Sequence, residues 1–228
     1  MRQQRIRPVD ERQKYFVAFV AIVRSDRQVF MALRVGILLA AGQSRRRGQC
    51  KQLLPWQVGQ AESPMGAVAF DAIASVCDAM IVVVGHRADH VVEALQPRTF
   101  SRVDSDGRQP MLASVHAGLR KARDFELEAV WLHPADHPHV APHTLHEMLA
   151  YAAKHQGRAV IPEFRGTGGH PVLIPEQHIE SLLAWTGDGG LRAFWREHPE
   201  LMVRLEVEDP STVRDYDRPE DLQTRIPE

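Results

Sequence analysis

Short apolar runs alternate with stretches of helical spacing from residue 34 onwards. The run at 34–40 is continuous, which is typical of a strand buried on both faces. The run at 80–85 is β-branched and stops at a glycine. Further strands are predicted at 129–133, 158–162, 171–174 and 201–207. Helices are predicted at 65–79, 88–95, 111–121, 142–155, 176–185, 190–198 and 220–225.

This alternation continues to residue 225 and indicates the fold class. It predicts an α/β fold, a Rossmann-like three-layer sandwich in which helices cover both faces of a mostly parallel sheet. In such sheets the ligand binds beyond the carboxyl ends of the strands. Candidate chemistry is therefore expected in the loops that follow the strands.

The loop after the first strand combines small residues, a hydroxyl group and cations. Residues 39–51 read Leu-Ala-Ala-Gly-Gln-Ser-Arg-Arg-Arg-Gly-Gln-Cys-Lys. Gly42 and Gly48 allow the backbone to approach a ligand closely, and consecutive loop amides can cradle phosphate oxygens. Arg46 and Lys51 add positive charge. The loop suits a triphosphate, with a basic surface turn as the alternative, and its spacing matches neither a P-loop nor G-x-G-x-x-G.

The same stretch resembles L-A-A-G-x-S-x-R-M-G-x-x-K, the signature of nucleotidyltransferases that act on the molybdenum cofactor. Every position matches except the methionine, which is Arg47 here. The resemblance covers about residues 34–225 and is nearest to the molybdenum cofactor cytidylyltransferases. In that family A-A-G accompanies cytidine nucleotides and A-G-G accompanies guanylyl transfer, so the resemblance implies CTP. The implied nucleotide-binding residues are Leu39, Ala40, Ala41, Gly42, Ser44, Arg46, Gly48 and Lys51, with Arg46 and Lys51 also catalytic.

Two later segments extend the resemblance on the nucleotide side. Residues 134–138 follow a predicted strand and resemble the family's acidic loop, which implies that Asp136 holds Mg²⁺ and is catalytic. Mg²⁺ prefers one or two carboxylates together with phosphate oxygens and water, although a turn or helix-cap aspartate is the alternative. Residues 111–119 resemble G-M-x-x-S-L-x-x-G-L, with Pro110 in place of the first glycine. This implies that Ser114 binds the nucleotide, unless it is an ordinary helix serine.

Three segments resemble the parts of the family that concern the second substrate and the metal. Residues 168–172 match a G-H-P segment attributed to the second substrate, which implies His170 and Pro171. A histidine after two glycines is expected to be exposed and to meet an anion, with an ordinary turn histidine as the alternative. Residues 187–192 resemble G-D-x-G-A-R, which implies that Asp188 and Arg192 serve the second substrate. Arg192 would reach the pterin phosphate, and capping of the next helix is the weightier reading of Asp188. Residues 215–222 resemble D-x-D-T-P-E-D-L, which makes Asp217 a second metal candidate, with helix N-capping as its rival.

The charge distribution separates the N-terminal segment from the rest. Residues 1–34 hold eight Lys and Arg against three acids, whereas the remainder holds 20 against 26. This acidic body argues against a nucleic-acid partner, and no apolar run reaches the roughly 18–20 residues of a membrane span. Two cysteines argue against a disulfide scaffold, so we expect a cytoplasmic protein. Residues 1–33 are predicted to be a poorly ordered basic leader, dispensable over 1–30, and residues 34–228 a nucleotidyltransferase domain.

The expected reaction is Mg²⁺-dependent transfer of CMP from CTP to the phosphate of molybdenum-molybdopterin. It would give molybdopterin cytosine dinucleotide and pyrophosphate, and a molybdenum hydroxylase would receive the product. One rival is guanylyl or other nucleotidyl transfer to a phosphorylated acceptor. A non-enzymatic rival is a carrier or insertion chaperone that brings the molybdenum cofactor to a hydroxylase. A nicotinamide-dependent oxidoreductase is disfavoured because the first loop lacks that motif's spaced glycines.

Overall fold

The computed structural model of the chain describes residues 32–42, 50–59 and 61–214. The strands in these ranges are β1 (Leu33–Ala40), β2 (Pro55–Val58), β3 (Ala61–Pro64), β4 (Ala79–Val84), β5 (Ser101–Asp104), β6 (Leu127–Pro134), β7 (Ala159–Phe164), β8 (Thr167–Gly168), β9 (Val172–Pro175) and β10 (Met202–Glu206). The α-helices are α1 (Met65–Ala74), α2 (Ala88–Ala94), α3 (Met111–Ala122), α4 (Pro142–Lys154), α5 (Ile179–Ala184) and α6 (Gly190–Glu197).

The main sheet has the strand order β10-β7-β9-β6-β1-β4-β5, with β8 paired to β7 and with β2 and β3 forming a separate hairpin. The central strand β1 runs parallel to β4 on one side and to β6 on the other. β5 is parallel to β4, and β10 is parallel to β7. β9 is antiparallel to both of its neighbours, and β8 is antiparallel to β7. The predicted α/β fold with a mostly parallel sheet is confirmed.

Helices cover both faces of this sheet because its central strands are apolar on both faces. On one face, Leu38 and Val82 pack into a cluster with Phe70 of α1 and residues of α2, and Trp131 packs against α4. On the other face, α3 lies so close to β1 and β4 that a methyl group at Gly118 would meet their side chains. α5 and α6 contact α3 and complete this layer. The packed central strands thereby fix the positions of the loops at their carboxyl ends.

The hydrophobic pattern misplaces some element boundaries and misses some short strands. The helix predicted at 65–79 ends at Ala74, and the Asp78 carboxylate accepts the Arg34 amide (2.8 Å) just before β4 begins. The edge strand β5 is missed because it alternates with Arg102 and Asp104, which are exposed and form an ion pair (2.7 Å). The short hairpin of β2 and β3 is missed as well. The stretch at 176–185 divides into a 3₁₀ turn and α5.

Both ends of the chain carry predictions that lie outside the described residues. These are the basic leader, of which only the last residues, 32 and 33, are described, and the terminal helix at 220–225. β1 already begins at Leu33, the last residue of the predicted leader. Within the described ranges, no helix is both long and apolar enough to cross a membrane.

Candidate active site

A crevice is expected between the carboxyl ends of β1 and β6. The two strands are parallel neighbours, but the chain leaves them in opposite directions, from β1 towards β4 and from β6 towards β7. Divergent loops of this kind leave a space above the sheet, and this is where α/β proteins bind their ligands. The amide of Ala135 donates to the carbonyl of Leu39 (3.0 Å), so the two strand ends are tied together at the base of this space.

Lys51 and Asp136 meet beside the carboxyl end of β6, where the crevice is expected, across 85 residues of sequence. The Lys51 Nζ atom lies 3.4 Å from Asp136 Oδ2, and the two side chains are 14% and 30% exposed. Lys51 begins a 3₁₀ turn, and Asp136 follows the end of β6. The positive charge expected to bind phosphate and the negative charge expected to bind the metal ion therefore lie side by side. The ammonium group is mostly buried, and the carboxylate is more exposed.

The described part of the predicted phosphate loop begins directly at the end of β1. Leu39, Ala40 and Ala41 are buried, and Gly42 is exposed. The remaining loop predictions, Ser44, Arg46 and Gly48, lie outside the described residues, as does the metal candidate Asp217. On the other side of the loop, Cys50 is buried, and burial raises the pKa of its thiol. Its Sγ atom lies 2.8 Å from Gln52 Oε1, which links this end of the loop to a buried amide.

Ser114 is paired with a serine that the sequence does not single out. Its hydroxyl oxygen lies 3.1 Å from the hydroxyl oxygen of Ser105, which follows β5. A Cβ atom at Gly85 would lie 2.7 Å from the Ala41 carbonyl oxygen and 2.8 Å from that of Ser105. The loops after β1, β4 and β5 are therefore packed backbone against backbone at Gly85. This packing brings the two serines to the carboxyl ends of the strands, on the same side of the sheet as Ala41.

His170 is more enclosed than the sequence predicts. Its ring packs edge-on against His137, whose ring packs in turn against His133. Burial, with a smaller contribution from His137, lowers the pKa of His170 to about 3. Burial also lowers the pKa of His133 well below its usual range. The expectation that His170 is exposed is therefore wrong, because its ring is partly buried against His137. Its contact with an anion stays a prediction.

The position of His170 is set by backbone contacts. Its amide donates to the carbonyl of Thr212 (2.7 Å), and the peptide bond to the buried Pro171 is cis. Gly169 has no space for a side chain, since a Cβ there would lie 2.3 Å from the same Thr212 oxygen. The Gly-Gly-His-Pro segment is therefore fitted against the turn that contains Thr212.

Asp188 and Arg192 are both exposed, at the start of α6. The N-cap residue of α6 is Gly189, with φ of 89°, and no side chain caps the helix. The predicted capping role of Asp188 is therefore wrong, because the glycine places the residue before it outside the cap position. α6 contacts α3, the helix that carries Ser114.

A comparison with protein families decides the identity. Residues 36–201 match the MobA-like NTP transferase domain. The chain belongs to the MobA-like NTP transferase family. It is a nucleotidyltransferase, and the basic loop and the Lys51–Asp136 pair fall within the matched region.

Two characterised relatives resemble this MobA-like NTP transferase over most of their length. The molybdenum cofactor cytidylyltransferase of Escherichia coli strain K12 is 26% identical over 192 residues, which cover 82% of this chain and 93% of the relative. The purine catabolism protein PucB of Bacillus subtilis strain 168 is 26% identical over 199 residues, with the same coverage.

Solved structures share the fold. Rv0371c from Mycobacterium tuberculosis H37Rv has a TM-score of 0.74 at 22% identity, covering 86% of this chain and 97% of its own. A nucleotidyl transferase from Methanothermobacter thermautotroptrophicus, Mth528, has a TM-score of 0.67 at 24% identity, covering 84% and 94%. These likenesses identify the α/β nucleotidyltransferase fold.

NTP transferases generally use a divalent metal, and one structure of Rv0371c is described as a complex with manganese. Among the described residues, no group of three or more His, Cys, Asp or Glu side chains is arranged to hold a metal ion. Mg²⁺ does not need such a group, because one or two carboxylates suffice when phosphate oxygens supply other ligands. The partly open carboxylate of Asp136 fits that requirement.

Sequence reasoning missed three residues of this region: Gln52, Ser105 and Asp209. The first two show no recognisable local signal, since a polar residue after a strand is common. Asp209 does have one, because Asp-Pro-Ser is a typical turn in which the carboxylate accepts a nearby amide. Its wider contacts involve residues 65 or more positions away, which no local pattern reports.

Proposed function

We propose that this protein transfers CMP from CTP to the terminal phosphate of molybdenum-molybdopterin. The observation that carries this proposal is the Lys51–Asp136 pair at the crevice, next to the Ala40-Ala41-Gly42 sequence. The E. coli relative supports the choice of CTP and of the acceptor. A molybdenum hydroxylase would take up the product, in the cytoplasm.

The reaction needs placement and charge neutralisation more than a side-chain nucleophile. An oxygen of the acceptor phosphate attacks the α-phosphorus of CTP, the bond to the β-phosphate oxygen breaks, and pyrophosphate leaves with the electron pair. A phosphate monoester is largely ionised at neutral pH, since its second pKa is about 6, so no general base is required. The new bond is the phosphoanhydride of molybdopterin cytosine dinucleotide.

Different basic residues neutralise different phosphate groups of the nucleotide. Lys51 offsets the charge that grows on the α-phosphate, and Arg46 and the amides of the first loop hold the β- and γ-phosphates. Mg²⁺, held by Asp136 and Asp217, would supply further screening of the phosphate oxygens. Ser114 binds the nucleotide, while Arg192 and the neutral His170 contact the acceptor. These assignments agree with the grouping of Lys51, Asp136 and the end of β1 at one edge of the sheet.

Binding of CTP, GTP, ATP and UTP, each with and without Mg²⁺, tests the nucleotide by calorimetry. We expect CTP to bind most tightly and Mg²⁺ to strengthen its binding. Tighter binding of GTP would replace this proposal with guanylyl transfer to the same acceptor.

Release of pyrophosphate tests the reaction itself. We expect release only when CTP, Mg²⁺ and molybdenum-molybdopterin are all present, and little release from the Lys51→Ala variant. Binding of both substrates to the unmodified protein without release of pyrophosphate would point instead to a carrier of the cofactor.

A further inference from the structure

The loop that carries Asp136 is attached at its far end to a buried carboxylate. Asp209 is 7% exposed, and its Oδ2 atom accepts hydrogen bonds from the amide of Ala141 and the hydroxyl of Thr144, both at 2.9 Å. Ala141 ends the loop after β6 and is the N-cap residue of α4. The loop between Ala135 and Ala141 is therefore fixed at its start by the Leu39 carbonyl and at its end by Asp209.

The other oxygen of Asp209 organises its own turn. Oδ1 accepts the amide of Ser211 at 3.0 Å and also the hydroxyl of the same serine. The hydroxyl of Thr212 donates to the carbonyl of Asp209 (2.8 Å). The carbonyl of Thr212 then accepts the amide of His170, and Gly169 leaves no gap against it. This 209–212 turn is thus seated on the segment that carries His170.

We propose that Asp209 is a positioning residue that holds the Asp136 loop in its metal-binding position by joining it to the 209–212 turn. A carboxylate suits this junction because a buried charge is tolerated when hydrogen bonds satisfy both of its oxygens, and here four donors from two segments converge on it. The inference rests on the proposed assignment of Asp136 to Mg²⁺. It adds that the affinity of this metal site depends on a residue that contacts neither metal nor nucleotide.

The Asp209→Asn variant tests this role with little change in volume. An asparagine side chain has only one accepting oxygen, and its NH₂ group would face the two donors at the other position. The hydrogen bonds to either residues 141 and 144 or residue 211 are therefore lost. The readout is the ratio of the CTP dissociation constants measured without and with Mg²⁺. We expect this ratio to fall at least about fivefold, within the range of coupling between linked sites, while the Mg²⁺-free constant changes by less than about threefold.

Asp78→Asn is the matched control, because Asp78 also accepts a backbone amide but does so at the start of β1, at the opposite end of the strand from the crevice. We expect the control to keep the wild-type ratio. A folded Asp209→Asn protein that keeps the same ratio, even with a lower unfolding temperature, would overturn the inference, since a purely structural role lowers stability without changing metal coupling.

Two milder variants cover the case in which Asp209→Asn does not fold. Thr144→Val and Ser211→Ala each remove one hydroxyl donor and leave the backbone amide bonded to Asp209. A reduced ratio in each supports the inference, and an unchanged ratio in both overturns it. A wild-type protein whose CTP binding ignores Mg²⁺ also overturns it, although a preference for CTP among the four nucleotides would still stand. If GTP binds best, the ratio is measured with GTP and the inference is tested independently of the base.

Discussion

Lys51 and Asp136 form an ion pair in the absence of substrate. In the proposed reaction, Lys51 would bind phosphate and Asp136 would bind the metal ion. Their side chains lie 3.4 Å apart, and both are at least half-buried. A triphosphate that enters the crevice brings negative charge to the lysine, and a metal ion brings positive charge to the aspartate. Lys51 would then contact phosphate instead of a carboxylate, and Asp136 would contact a metal ion instead of an ammonium group. Because the new partner of each side chain carries the same sign of charge as the old one, the site would need little rearrangement.

Removal of either charge should slow catalysis strongly. We expect Lys51→Ala and Asp136→Asn each to lower the turnover rate by roughly 10²–10³, the typical cost of one electrostatic contact to a transition state. Lys121→Ala is a matched control, since Lys121, in the last turn of α3, pairs with Asp124 just after the helix. Pyrophosphate release measures the rates, and an Asp136→Asn enzyme with full turnover would remove Asp136 from the proposed metal site.

The paired hydroxyls of Ser105 and Ser114 should act together. If Ser114 binds the nucleotide, Ser105 fixes the direction of its hydroxyl group, because the two oxygens lie 3.1 Å apart. We expect Ser114→Ala and Ser105→Ala each to weaken CTP binding about 5- to 10-fold, with a double variant little worse than either, since the hydroxyls form one unit. Ser75→Ala, at the exposed end of α1, is the control. Calorimetric effects that add fully would contradict this coupling.

The enclosed histidines should make the fold sensitive to acid. The pKa values of His133 and His170 are lowered by burial, so the unfolded chain binds more protons than the folded one below about pH 6.5. The contribution of these two groups to stability is complete above that pH. It decreases as the pH falls below that value, for His170 by up to about 1.4 kcal/mol per pH unit until the pH nears 3, and for His133 in the same direction.

Urea unfolding at several pH values between 7 and 5 measures this dependence. Over this range carboxylates contribute little, because they titrate mainly at lower pH. His133→Leu should flatten the slope by about one proton, although it also loses the bond to the His137 carbonyl. A slope that is the same in this variant and in the wild type would show that His133 does not control acid stability.

At the scale of elements, the absence of a side chain at Gly85 lets three loops pack closely at the carboxyl ends of β1, β4 and β5. We expect Gly85→Ala to weaken nucleotide binding at least tenfold, because the added methyl group would push the loops after β1 and β5 apart. Such overpacking typically costs about 1–3 kcal/mol of stability. Gly166→Ala is a useful control for an added methyl group without overpacking, since nothing lies within 4 Å of it, although the φ of 79° at Gly166 disfavours alanine. It should cost roughly 1–2 kcal/mol and leave nucleotide affinity unchanged.

At the scale of the whole molecule, we propose that the domain functions without the basic leader. β1 begins at Leu33, so a chain that starts at Met31 keeps every strand that the structure describes. We expect it to match the full chain in CTP affinity and to unfold within about 2 °C of it, which corresponds to less than about 1 kcal/mol for a domain of this size. Calorimetry and thermal unfolding check this, and a large loss of either would assign the leader to the folded domain.

The local sequence was sufficient for most of the elements. The runs that became β1, β4 and β6 were identified because buried parallel strands are apolar throughout. The family resemblance pointed to Lys51 through the first loop and to Asp136 through the segment at 134–138, and their roles stay predictions. The edge strand β5 was missed because its outward residues are charged. The capping role of Asp188 was wrong because a glycine in the left-handed region took the N-cap position.

The sequence by itself therefore determined the order of the buried strands and of most helices, and the residue types at the strand ends, since these depend on neighbours a few positions apart. Only the tertiary structure decided that Lys51 meets Asp136, that His170 is enclosed and neutral, and that Asp209 joins two distant segments. These contacts depend on which strands become neighbours in the sheet and on how tightly their loops pack. Periodicity along the chain carries no record of either, because such contacts form between residues that are remote in sequence.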